Sequence, residues 1–148
     1  MDALKSILGI AIGTIVLGGL LFIQCVYPFI KDSPDSVNEY GSMILKALEH
    51  QAETREECEK TLDQVCLTES MEELQSTIKS AASSAPEPMS VAHERLYSVV
   101  SEMVVLNRLS ESPENLTPKF IERNISIIEE YQSVLQEWVA VGKKLSAE

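Results

Sequence analysis

Basic side chains are scarce in this chain: 12 Lys and Arg stand against 23 Asp and Glu, and the formal charge is −11. Phosphate backbones are held by clustered bases, so this composition argues against nucleic acid as a partner. It equally lacks the juxtamembrane polybasic patch that would grip anionic lipid. Histidine is scarcer still, with two in the chain. His50-Gln51-Ala52-Glu53 lacks the second histidine that a zinc-protease helix needs at i+4. Glu49, Glu53 and Glu56 share a helical face that would suit carboxylate ligation of a metal. Bundle metal sites add Glu-x-x-His pairs from facing helices, and this sequence has none. A glycine-rich phosphate loop, a nucleophile elbow and a C-x-x-C motif are also missing. Catalysis needs positioned acids, bases or nucleophiles, so no enzyme activity, metal or cofactor is expected.

Charge is missing altogether from the 25 residues Ser6 to Ile30, which Lys5 and Lys31 bracket. Within them Ile7 to Ile23 holds a single polar side chain, Thr14, and eleven Leu, Ile, Val and Phe residues. Those eleven favour insertion into a bilayer by about 3 to 7 kcal/mol. At ~1.5 Å per residue the uncharged run crosses a ~30 Å hydrocarbon layer. The segment 1–30 is therefore expected to be a single-pass transmembrane signal-anchor. A cleaved signal peptide would have a shorter apolar core and a small-x-small site, which does not follow Phe22. Lipidation of Cys25 would want small residues ahead of it, where Phe22, Ile23 and Gln24 stand. Cleavage and lipidation remain alternatives. Gly9 and Gly13 form a G-x-x-x-G pair of the kind that lets membrane helices approach closely, so the run is a candidate pairing face, including for homo-oligomers. Bases near the N-terminus slightly favour an inside N-terminus and an exported, extracytoplasmic domain.

The remaining residues are patterned as helices, and the expected fold class is all-α. A hinge at 31–35 should lead into an acidic soluble helical bundle over 36–148. Ser36-Val37-Asn38-Glu39 reads as a capping box, and Val37, Tyr40, Ile44, Ala47 and Leu48 mark one helical face. That face fades over Glu49 to Lys60, which would be exposed, cover a partner or bend away; apolar spacing returns at Leu62, Val65 and Cys66. Ser70-Met71-Glu72-Glu73 reads as a second capping box opening a shorter helix with Met71, Leu74 and Ile78 inside. After the stop at Pro86-Glu87-Pro88, Ser90 can cap a third helix with a wide apolar face: Leu96, Val99, Val100, Met103, Val104, Leu106 and Leu109. Two Val-Val pairs there would also suit a strand, but the 3.6-residue spacing persists for five turns. His93 is expected at the rim.

Thr117-Pro118 supplies a cap and a first-turn proline for the last helix. Its seam is read as Ile121, Ile125, Ile128, Leu135, Val139 and Gly142, broadened by Phe120, Ile127, Tyr131, Val134, Trp138 and Val141. Three long helices and one shorter, joined by short loops, predict an antiparallel bundle.

Acid is densest from Glu49 to Glu73, where nine carboxylates accompany only Arg55 and Lys60. Glu49, Glu53, Glu56 and Glu57 are the candidate partner-binding residues; such a face also simply keeps a protein soluble. Cys58 and Cys66 can form a disulfide only if the chain turns between them, since eight residues of continuous helix separate them by ~12 Å. In a reducing compartment they would be buried thiols. Two sequons, at Asn115 and Asn124, would matter only in a eukaryotic lumen. The expected role is non-enzymatic: a membrane-anchored helical interaction protein, or a small subunit of a membrane-associated assembly. An extracytoplasmic ligand-binding or sensor bundle and a phage-like envelope or lysis factor are the alternatives.

Overall fold

A computed structural model describes residues 35–146. The run Ser6–Ile30 with Gly9, Gly13 and Cys25, the hinge up to residue 34, and the side chains of Ser36 and Val37 lie outside the described residues. Among the described residues four α-helices make the fold: α1 (Asp35–Thr61), α2 (Gln64–Ala81), α3 (Ser90–Ser110) and α4 (Pro118–Ser146). They run 27, 18, 21 and 29 residues, so α2 is the short one. No strand occurs among the described residues, and both Val-Val pairs of α3 are helical. No helix among them is long and apolar enough to cross a membrane.

Contacts between neighbours fix the helix directions. Gln64 at the start of α2 donates to Ser110 at the end of α3 (2.6 Å), and Gln75 donates to Ser101 (3.0 Å). Arg108 pairs with Glu72 across the same seam. Arg123 pairs with Glu102 and Arg95 with Glu137 between α3 and α4. Along the α2–α3 seam (64 to 110, 72 to 108, 75 to 101) and the α3–α4 seam (95 to 137, 102 to 123) residue numbers rise on one helix as they fall on the next, which makes these neighbours antiparallel. The core they enclose is built from Tyr40, Ile44, Leu45 and Leu48 of α1, Met71, Leu74 and Ile78 of α2, Leu96 to Leu106 of α3, and Ile127 to Trp138 of α4. Each fully buried aliphatic side chain contributes about 1.5 to 3 kcal/mol, which drives the assembly.

The α1–α2 corner is closed by three local devices. Leu62 takes a left-handed conformation (φ 53°), the amide of Asp63 reaches the Cys58 carbonyl (3.1 Å), and the amide of Leu62 reaches Glu59 (3.2 Å). Those two bonds are a Schellman ending with leucine in the position that usually holds glycine. Asp63 is at the same time the N-cap of α2, its carboxylate accepting from the Cys66 amide (3.1 Å). This reversal brings Cys58 and Cys66 to a Cα separation of 5.6 Å, and they are joined by a disulfide.

Several sequence expectations are corrected. The Ser70 box does not open α2, because Asp63, extended and presented by the left-handed Leu62, supplies the cap and α2 begins at Gln64, six residues before Ser70. Ser70 is buried inside α2 and donates to the Leu67 carbonyl (2.8 Å). Ser90 does not cap α3, since the 3-10 turn Glu87–Met89 runs into it without an extended residue; its hydroxyl donates back to Glu87 (2.8 Å). Thr117 does cap α4, accepting from the Phe120 amide (3.2 Å). Leu62 (84 % exposed) and Val65 (53 %) do not rejoin the apolar face, because the left-handed residue breaks the helical spiral. In α4 the buried stripe is Ile127, Tyr131, Val134 and Trp138 with Leu135, while Ile125 is 45 % exposed. The centre has moved one residue, or 100° round the helix, toward the aromatic stripe that offers more area to bury.

Left-handed leucine costs about 1 to 2 kcal/mol, and Leu62 buries almost nothing in return. Leu62→Gly should therefore raise stability by about 1 kcal/mol, read as a higher urea midpoint at unchanged slope. Closing so short a loop, the disulfide should contribute about 2 to 3 kcal/mol; Cys66→Ala is expected to lose that much in the same measurement while keeping its helical circular dichroism.

Candidate functional site

The inward face of α1 does not fade after Leu48. Its core spacing of three and four continues through Ile44, Leu48, Gln51, Arg55 and Cys58, but two of these positions carry polar side chains. Gln51 is buried and donates to the Met71 sulfur (3.2 Å). Arg55 is 3 % exposed and lies 3.7 Å from Glu59, with the arginine Nε and the Glu59 Oε1 both buried and without a hydrogen bond. Burial pulls the Arg55 guanidinium below its ordinary value, against the charge of Glu59 and the nearby Tyr131. Burial likewise raises the Glu59 carboxyl, opposed by Arg55. Tyr131, on α4, is raised by burial, which Arg55 partly offsets. Arginine nonetheless stays charged, so a cation is held inside the α1–α4 side of the bundle.

A second polar cluster sits at the other end of α1. The Trp138 indole donates to the Tyr40 hydroxyl (2.9 Å), which lies 2.6 Å from His93 Nδ1. The rings are tilted against one another, with centroids 5.5 Å apart for Tyr40–His93 and 5.9 Å for Tyr40–Trp138. His93 is 3 % exposed, so its expected place at the rim is corrected to the core. It goes inside because the Tyr40 hydroxyl, itself held by Trp138, supplies the polar partner that burial of an imidazole demands. Its Nε2 is buried without a hydrogen bond of good geometry, although the Ile78 carbonyl favours the protonated ring. Burial dominates and lowers the His93 pKa. The Tyr40 hydroxyl is pushed up to about 12 by burial, offset in part by the Trp138 hydrogen bond.

The carboxylates singled out from the sequence are on the outside. Glu49, Glu53, Glu56 and Glu57 are exposed on α1, away from its buried stripe, and Glu56 pairs with Lys60 (3.2 Å). His50, also exposed, is 3.5 Å from Glu73. Among the described residues no group of three or more His, Cys, Asp or Glu could hold a metal ion. Gly9 and Gly13 lie outside the described residues.

No protein-family model, curated protein or solved structure matches this chain. The site residues that composition missed are Arg55, counted with the acidic block, and His93, placed at the rim. The signal for Arg55 was its register: three and four residues from Gln51, Ala52 and Cys58, it stays in line with Ile44 and Leu48.

Removing the counter-charge of a buried arginine leaves it uncompensated. Glu59 keeps some contact with solvent, so Glu59→Gln should cost about 2 kcal/mol, less than for a fully buried pair, measured by chemical denaturation at neutral pH.

Proposed function

We propose that this chain is a membrane-anchored, non-enzymatic interaction protein, a helical bundle tethered to a bilayer on its extracytoplasmic side as a partner or small subunit of a membrane-associated assembly. The observation that carries the tether is the uncharged run Ser6–Ile30, with its eleven large apolar side chains and bracketing lysines. The Cys58–Cys66 disulfide supports export, since such bonds persist in oxidising compartments. The bundle's own polar interior is engaged in packing contacts, which favours recognition at its surface over chemistry within it. The exposed Glu49, Glu53, Glu56 and Glu57 suit a partner with a basic face, and Gly9 with Gly13 suits a second membrane helix.

Fractionation of cells making the full-length chain tests this directly. The chain should pellet with membranes and resist alkaline extraction, and protease added from the extracytoplasmic side should digest the bundle. Recovery in the soluble fraction, or digestion only after the membrane is opened from the cytoplasmic side, would overturn the reading. Gly13→Leu should leave membrane association intact and reduce co-purification of partners several-fold.

A further inference from the structure

One hydrogen bond of the Tyr40 cluster has a fixed direction, and satisfying the buried hydroxyl sets the other. An indole N–H can only donate, so the Tyr40 oxygen accepts from Trp138; of the two tautomers of His93, the one with a bare Nδ1 gives the buried Tyr40 O–H its acceptor at 2.6 Å. Nδ1 therefore carries no proton, and the imidazole is the neutral Nε2–H tautomer. A second proton can enter only at Nδ1. There it would turn Nδ1 into a donor, leave the Tyr40 oxygen facing two donors, and strand the Tyr40 O–H in a fully buried site where His93 is its one hydrogen-bond acceptor among the described residues.

The surroundings offer the resulting cation little. Tyr40 is the titratable group that α1 presents to the ring, and Glu39 beside it is exposed. From α2 comes the Ile78 carbonyl, with Lys79 turned out to solvent. On α3 Glu94 attracts the proton from an exposed position, and Arg95 is committed to Glu137 of α4, next to Trp138. No carboxylate contacts the imidazole among the described residues. The cluster ties the first turns of α1 to α3 and α4, and α1 meets α4 far more lightly than it meets α2.

We propose that Tyr40, His93 and Trp138 form an acid-released latch: protonation of His93 reverses its hydrogen bond with Tyr40 and frees the first turns of α1 from α4, at the end of the bundle where α1 begins. The sign follows from linkage. A histidine whose pKa is lowered by folding contributes its full stability above the unfolded value of about 6.5 and loses it progressively below, so the opening equilibrium constant should rise up to about tenfold per pH unit there.

Trp138 is the single tryptophan of the chain, so its fluorescence reports this cluster alone. Full-length protein in non-ionic detergent, taken from about pH 7.5 to about pH 5, should shift its emission to longer wavelength while far-ultraviolet circular dichroism keeps the helices. His93→Gln should abolish the shift, and His50→Gln, which alters the other histidine, should retain it. An unchanged wild-type emission over that range, or the same shift in His93→Gln, overturns the latch. Should His93→Gln fail to fold, the imidazole resonance of His93 in isotope-labelled wild type decides: it must titrate in step with the Trp138 shift, and a ring that stays neutral throughout or titrates at a different pH overturns the proposal.

Discussion

The bundle closes where a donor-only indole on α4 finds a hydroxyl on α1, and that hydroxyl finds an imidazole on α3. Helices α1 to α3 are held in sequence by wide apolar seams, a corner disulfide and cross-helix hydrogen bonds, but α1 and α4 share little contact. The broad α3–α4 seam with its two ion pairs places α4, and Trp138 adds the link to α1. Once its N–H must reach Tyr40, Tyr131, Val134 and Ile127 follow it inward at spacings of three and four, and Ile125 is carried out to solvent. Buried Tyr and Trp carry both area and a polar tip, so one contact sets packing and direction together.

The same α1 stripe carries an arginine and a glutamine at core positions. Desolvation of a charge largely offsets its attraction to a partner, so the Arg55–Glu59 pair adds little net stability. Glu59 is on the same helix and travels with Arg55, so a change of packing is felt where it withdraws the buried guanidinium from Tyr131 on α4. With Gln51 on the Met71 sulfur, these polar positions discriminate between registers that an all-leucine seam would tolerate.

Helix number, helix order and the short second helix were legible in the sequence because periodicity and breakers act locally. So were Thr117 as a cap and the apolar face of α3 from Leu96 to Leu106. Choices that tertiary contacts make were not. Ser70 and Asp63 are both competent caps by composition, and only the left-handed Leu62 selects Asp63. His93 is polar in isolation and becomes a core residue through Tyr40, 53 positions away. Arg55 was hidden by its residue type, since a charged side chain in a carboxylate-rich stretch reads as surface unless register is weighed above chemistry.

All four arginines of the chain are engaged with glutamates: Arg55 within α1, and Arg95, Arg108 and Arg123 as braces between helices. The cations best able to neutralise a carboxylate face are thus turned to internal use, and the outward field of the bundle is left negative. Long-range attraction sets how often molecules meet rather than how long they stay, and counterions damp it beyond ~8 Å at physiological salt. Encounter with a basic neighbour would then be fast in dilute electrolyte and slow in brine, with residence time governed by whatever apolar contact follows.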